Sequence, residues 1–380
     1  MKVLVIGAGM MGTAMAYDLA HSEGVGKVFL ADIDFKKAAD AAHKIGRSVE
    51  PLKLDTGYYD DVIEAMKPVD AAIGATSYNH NVLLTKAAIE SGIHFCDLGG
   101  NMDVVDKQLE FDSKAKAAGV LIMPNCGLAP GMACAIAGGA VKRFQSVDEI
   151  HIRVGGLPQN PQPPLNYQLV FSAEGLTNEY LEPAEVIRNG KLQTVESMTD
   201  IEILSFPPPF EKLEAFNTSG GISTLTRMYS GKVKALDYKT IRYPGHCEKF
   251  KLLLDLGFAS SVPIVAGANL LTAREFFETL LKKKLPQNGP DVVLTRVAIT
   301  GTLEGNYRSL AYEMVDYYDT STQMTSMMRT TSFPTSIIAQ MIVNGTIPER
   351  GVHPPEHCVP LDPFILELKK RNIVFNESLS

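Results

Sequence analysis

An α/β chain of two domains is what three features of the sequence predict: a doubly wound domain first, then an α+β domain carrying a mixed or antiparallel sheet. Short apolar runs alternate with amphipathic stretches from Lys2 to about Asn125, a glycine-rich turn follows the first run, and Pro-rich, strand-like segments take over afterwards. At 380 residues the chain also exceeds what one hydrophobic core usually organises.

The alternating stretch holds six strands, KVLVI, KVFLAD, PLKLD, DAAIGA, HFCDL and VLIMPN, separated by helix-like segments. Such alternation implies βαβ crossovers, whose right-handed connections leave helices on both faces of a parallel sheet. GLAPGMACAIAGGAVKRF then reads as a loop and a small-residue helix, and HIRVGGLPQNPQPPLNY opens a Pro-rich region. From about residue 148 to 335 the segments EILSF, KVKALDYKTIRY and VVLTRVAIT surround a helix-like TAREFFETLLKKK, which predicts the α+β domain. PTSIIAQMIVNG and PFILELKKRN return to helix and are expected to pack back on the first domain. The expected division is therefore 1–125 with 336–380, and 126–335 as a domain for substrate binding and oligomerisation.

A formal charge of -7, from 43 acidic against 36 basic residues without long single-sign blocks, offers no polyanion-binding surface, so nucleic acid is excluded as a partner. The five cysteines are scattered and contain no C-x-x-C pair, which predicts free thiols in a reducing, cytoplasmic compartment. Lys2 and the apolar run after it mimic a secretory signal, but the same residues spell a nucleotide-binding turn. No apolar run approaches the roughly 20 residues of a membrane helix, so no membrane partner is expected.

In VLVIGAGMMG, Gly7, Gly9 and Gly12 stand at G-x-G-x-x-G spacing between an apolar strand and a helical run, with Met10 and Met11 inside the turn. Gly7 allows a tight turn, Gly9 lets the backbone touch a pyrophosphate, and Gly12 permits close helix packing. The helix N-terminus then presents partial positive charge to the phosphates. Asp32 ends the second strand twenty residues after Gly12, where a carboxylate accepts both ribose hydroxyls and repels a 2′-phosphate. This is a Rossmann dinucleotide site, and its expected cofactor is NAD; Lys36 and Lys37 keep NADP open. Ala75 and Thr76 end the fourth strand, where cofactor ribose and nicotinamide would pass.

Beyond this unit, HFCDLGGN (94–101), PNCGLAP (124–130), GGLPQNPQPPLNYQLVFSAEGLTNEY (155–180), KLEAFNTSGGISTL (212–225) and YKTIRYPGH (238–246) resemble the saccharopine dehydrogenase-like family, most closely its L-lysine 6-dehydrogenase branch. The likeness spans nearly the whole chain, including QMTSMMRTTSFP. It implies oxidation of the terminal amine carbon of L-lysine with NAD, giving 2-aminoadipate 6-semialdehyde, which cyclises, plus ammonia. It also implies a homodimer with the second domain's sheet at the interface.

An amino-acid substrate brings a carboxylate and an ammonium that a partly dry pocket must pair. Arg242 is the candidate for the carboxylate, because its guanidinium grips two oxygens and the Pro244–Gly245 turn after it fixes His246. Glu174 is the candidate for the ammonium, with a helix-capping role as its alternative. Asn166, Tyr167 and Tyr243 are candidates for neutral substrate contacts. Hydride leaves only from a neutral amine, so a base is needed; His246 is the first candidate, with His80 and Asp97 behind it.

Cys126 has no His or Asn at a spacing that supports a thiolate dyad and is expected to be a packed thiol. His353, Glu356, His357 and Cys358 look metal-like, but the consecutive prolines between His353 and Glu356 break the helix that would align ligands, so no metal is expected. The rival readings are a saccharopine or carboxynorspermidine dehydrogenase, whose second carboxylate needs a further cation such as Arg329 or Arg227, and a silent NAD-binding sensor or scaffold.

Overall fold

The computed structural model describes residues 1–46, 48–267, 269–287 and 289–380. The chain forms two compact units, Met1–Arg143 with Ser223–Leu225 and Met328–Val374, and Phe144–Ile222 with Thr226–Met327 and Phe375–Ser380.

The first unit is built on strands β1 (Lys2–Ile6), β2 (Lys27–Asp32), β3 (Val49–Lys53), β4 (Ala71–Gly74), β5 (His94–Asp97) and β6 (Leu121–Met123). They lie in the order β6-β5-β4-β1-β2-β3, all parallel, so the strand order reverses at β1 and β4. These are the six strands the apolar runs predict. A two-residue strand, Gly351–Val352, adds to β6 in a region expected to be helical. Central strands are buried on both faces, as parallel sheets are: Leu4, Ile6, Ala72, Phe95 and Ile122 are 0–1% exposed and share one core.

The helix Met132–Val141 and residues 328–335 fall in the first unit, whereas the sequence reading gave them to the second. Small residues explain the helix. A Cβ on Gly138 would meet the Glu356 carbonyl oxygen at 2.2 Å, and one on Gly139 would meet the Leu361 Cβ at 2.8 Å. Two bare positions thus let it lie against the turns of Pro355–Cys358 and Leu361–Lys370.

The second unit carries β7 (Ser146–Pro158), β8 (Ala184–Arg188), β9 (Lys191–Val195), β10 (Glu202–Leu204), β11 (Leu213–Asn217), β12 (Ala235–Arg242), a separate ribbon of β13 (Pro263–Ala266) with β14 (Asn269–Thr272), then β15 (Asp291–Leu303) and β16 (Asn306–Tyr317). The main sheet runs β10-β11-β12-β7-β15-β16, ending on Asn376–Leu379. Only β12 and β7 pair in parallel along it, so the sheet is mixed. The helix Ala173–Leu181 buries Ala173, Leu176, Thr177 and Tyr180, an i, i+3, i+4, i+7 stripe, against Phe216 and Phe250. That packing sets the second site described below.

Candidate functional site

The glycine turn joins β1 to the helix Met10–Ala20. Gly7 takes φ +111°, donates its N–H to the Ala31 carbonyl at 2.7 Å, and has no room for a side chain, since a Cβ would sit 2.5 Å from the Ala75 oxygen. Gly12 is tighter still, its Cβ position 1.7 Å from the Gly7 oxygen. Gly9 differs from both. Among the described residues nothing lies within 4 Å of its Cβ position, and as N-cap residue it leaves the helix start without a side-chain cap. Open space over a bare helix N-terminus suits a pyrophosphate.

Asp32 ends β2 with its carboxylate turned to this loop: Oδ2 accepts the Ala8 N–H at 2.8 Å and Oδ1 the Asp34 N–H at 3.0 Å. The Lys37 ammonium stands 3.7 Å from Oδ2. The Thr76 hydroxyl, past the end of β4, is buried without a hydrogen-bond partner among the described residues. Its methyl lies 3.3 Å from the Gly7 Cβ position, so it borders the same turn. Met10 is 47% exposed beside it. Loop, carboxylate and orphaned hydroxyl together fit a dinucleotide.

The second unit holds a buried polar cluster at the end of β12. Arg242 is 3% exposed; its Nε donates to the Tyr180 hydroxyl at 2.7 Å and its Nη1 to the Ile241 carbonyl at 2.9 Å. The guanidinium lies over the ring of Tyr167, 4.9 Å from its centroid. Nη2 is 3.9 Å from Glu179 Oε1, which accepts from Thr240 Oγ1 at 2.6 Å, and makes no hydrogen bond among the described residues. Burial works against the Arg242 charge, but Tyr180, Tyr167 and Glu179 outweigh it and hold the proton more tightly than usual. Burial likewise raises the Tyr167 phenol, whose hydroxyl is enclosed and has no hydrogen-bond partner among the described residues.

His246 lies in this cluster but not as a base. It is 1% exposed and ringed by Tyr167, Phe216 and Phe250; burial, reinforced by the Arg242 charge, pushes its ring down to about 3. Both nitrogens are engaged, Nδ1 with the Leu165 carbonyl at 2.9 Å and Nε2 with the Tyr180 hydroxyl at 3.1 Å. Asp97 is sealed too. Its Oδ1 accepts the Gly99 N–H at 2.7 Å and its Oδ2 the Gln108 amide at 2.7 Å, while burial pushes it up to about 6. It ties the loops after β5 and β6, since Oδ1 also faces the Asn125 N–H at 3.4 Å. Of the three candidate bases only His80 is partly open, its Nδ1 held by Thr56 at 2.9 Å.

Glu174 points elsewhere: it is an exposed first-turn acid of a helix that Ser172 caps. The nearby carboxylate is Glu179, on the same helix. Tyr243 donates its hydroxyl to the Pro158 carbonyl at 2.9 Å, and Asn166 occupies a left-handed turn at φ +49°. Arg227 is exposed, and Arg329 donates to the Arg371 carbonyl at 3.0 Å. Glu179 and Tyr180 escaped the sequence reading because one passes for helix surface and the other for the core stripe. A glutamate next to the buried face of a short helix was the available signal.

Cys126 is buried and donates to the Met123 carbonyl at 3.2 Å, with burial raising its thiol well above the ordinary range. Pro355–Cys358 does form one helical turn, which the sequence reading did not expect, but Glu356 Oε1 accepts from Thr224 and His353 Nε2 lies 3.1 Å from the Arg350 carbonyl. Among the described residues no three His, Cys, Asp or Glu side chains gather as a metal site, and no helix is long and apolar enough to cross a membrane.

Residues 3–123 match the family model of the saccharopine dehydrogenase NADP binding domain, and residues 127–374 that of the saccharopine dehydrogenase C-terminal domain. The chain belongs to the saccharopine dehydrogenase family. Within it the chain is 22% identical to a mouse mitochondrial alpha-aminoadipic semialdehyde synthase, over 99% of this chain and 47% of that protein. It is 25% identical to a Pyricularia oryzae saccharopine dehydrogenase [NADP(+), L-glutamate-forming], over 68% of this chain and 58% of the relative. The chain thus spans about half the length of these two relatives. A Synechocystis carboxyaminopropylagmatine dehydrogenase matches end to end, 20% identical over 99% of this chain and 97% of that one. The fold is that of the saccharopine dehydrogenase (L-Glu forming) of Saccharomyces cerevisiae, with a TM-score of 0.82 at 20% identity over 100% of this chain and 99% of that one.

Proposed function

We propose that the chain is an NAD-dependent L-lysine 6-dehydrogenase. One observation carries the reading: Arg242 Nη2 and the Glu179 carboxylate stand side by side, 3.9 Å apart, next to an unpartnered Tyr167 hydroxyl. A cation and an anion so placed match the α-carboxylate and α-ammonium of one amino acid, with the free phenol available to donate to the carboxylate. The dinucleotide, when bound, accepts a hydride from the substrate's terminal amine carbon.

The remaining steps concern the substrate. Its terminal amine, with a reference pKa near 10.4, first gives up a proton. Loss of hydride from the adjoining carbon leaves a protonated imine, water adds to it with release of a proton, and ammonia departs to leave the semialdehyde. His246 and Asp97 are both closed to water, so neither takes this proton in this reading. NAD is the cofactor because the Asp32 carboxylate, fixed by Ala8 and Asp34, accepts ribose hydroxyls and repels a 2′-phosphate.

The activities named for the relatives favour a second reading, in which the amine oxidised is a secondary one. Purified protein with NAD and single amines separates the two through the absorbance of reduced nicotinamide. Reduction with L-lysine and release of ammonia is the expected result; reduction with saccharopine or carboxynorspermidine alone establishes the second reading instead. Arg242→Ala is expected to raise KM for lysine at least about 10-fold with dinucleotide affinity unchanged, since one charge-assisted contact is worth roughly 1.5–3 kcal/mol.

A further inference from the structure

We propose that His246 is a positioning residue, which aims the Arg242 guanidinium through the Tyr180 hydroxyl and so sets affinity for the substrate carboxylate. The inference rests on the reading of Arg242 as the carboxylate ligand. The proton positions follow from the partners. A carbonyl only accepts, so Nδ1 of His246 carries a hydrogen and donates it to Leu165 O. The ring is neutral, so Nε2 presents a lone pair. Tyr180 must then donate its hydroxyl hydrogen to Nε2, which turns its oxygen lone pairs toward the Nε–H of Arg242 at 2.7 Å.

Each bond fixes the direction of the next. With Nε held by Tyr180 and Nη1 by the Ile241 carbonyl, the plane of the guanidinium is set and Nη2 is the edge left for a ligand. The rings around it permit no other arrangement. Tyr180 packs edge-on against Phe250 at 4.8 Å and Phe216 at 5.8 Å between centroids, and neither offers its hydroxyl another acceptor. A protonated His246 would donate from Nε2 as well, leaving Tyr180 between two donors with nowhere to place its own hydrogen. Tyr180 thus reads the tautomer of His246, and Arg242 reads Tyr180.

Two substitutions separate this role from bulk packing. His246→Gln places an amide oxygen near the former Nε2 and keeps an acceptor for Tyr180; His246→Asn keeps a donor near Leu165 but has nothing to accept from Tyr180. For wild type and these variants, KM and kcat are measured with L-lysine and NAD, alongside dinucleotide affinity by fluorescence titration. Expected is a KM raised roughly 10-fold in His246→Asn, largely restored in His246→Gln, with kcat and dinucleotide affinity unchanged. Tyr180→Phe should raise KM similarly, and adding His246→Asn to it should cost no more. Equal KM in the Gln and Asn variants, additive losses, or a fall in kcat with KM unmoved overturns the proposal.

The relay itself is readable without turnover. ¹⁵N NMR of the full chain should show His246 as the neutral tautomer protonated at Nδ1 from pH 8 to 5, with an Nε2 shift that changes in Tyr180→Phe. If the wild type oxidises no amine while this signature holds, the functional reading fails and the relay stands. A ring protonated at Nε2, or insensitive to Tyr180→Phe, defeats the relay whatever the activity.

Discussion

Three buried ionisable side chains share one constraint, the absence of water, and resolve it differently. Arg242 keeps its charge because Glu179 and two tyrosines face it, His246 gives up its charge, and Asp97 holds on through two backbone N–H groups and Gln108. The histidine has a consequence for acid stability. Unfolded, it takes a proton near pH 6.5; folded, only near 3, so the unfolded chain binds the extra proton between those values and stability falls as pH drops through them. Asp97 acts in the opposite sense. Folded near 6 and unfolded near 3.9, it favours the native state below about pH 4 and loses that contribution as pH rises to 6. Urea midpoints at pH 7 and 5 should therefore show His246→Gln losing less stability than wild type, and equal losses would remove the argument. None of this was legible from residue types. His246 and Asp97 were singled out as candidate bases, but a base and a sealed hydrogen-bond post look identical until the packing around them is known.

At the scale of elements, local signals were read well and cross-chain ones poorly. The glycine turn, its flanking strand and helix, and Asp32 are set by neighbours within the first 32 residues, and each lies where the spacing places it. The three glycines carry distinct consequences. Gly9→Ala is expected to fold with an unchanged melting temperature, since its Cβ meets nothing, yet to weaken dinucleotide binding by at least about 10-fold, because the methyl enters the space assigned to the pyrophosphate. Gly12→Ala should fail first in stability, its Cβ lying 1.7 Å from a backbone oxygen. Thermal melts with and without NAD tell these apart. The hairpin of β15 and β16 was missed for a specific reason: Glu304 and Gly305 turn it, at φ +51° and +78°, where Asn-Gly or Asp-Gly is the usual signal.

For the molecule as a whole, residues 336–374 of the C-terminal segment fall in the first unit, whereas Phe375–Ser380, expected there too, falls in the second. The means of attachment was invisible in the sequence. Arg371 Nε binds Asp18 Oδ1 at 2.6 Å, joining residues more than 350 positions apart, and Ser336 bonds the other oxygen of the same carboxylate. Asp18 sits on the helix that begins at the glycine turn, with both partners of the ion pair nearly buried. Breaking such a pair from one side leaves an unpaired buried charge, so Arg371→Ala should lower stability by roughly 3–5 kcal/mol in denaturant unfolding. A loss below about 1 kcal/mol would mean that the pair is held by exposed geometry alone.

Family membership rests on both halves of the chain, whereas the choice of lysine rests on Arg242, Glu179 and the free Tyr167 hydroxyl. The decisive measurement is isotopic: L-lysine carrying deuterium on its terminal amine carbon is incubated with the protein and NAD, and the reduced nicotinamide is analysed by mass spectrometry. Reduced cofactor one mass unit heavier, formed together with ammonia, is the expected outcome. Reduced cofactor without deuterium, or none at all while saccharopine or another secondary amine is oxidised, would contradict it.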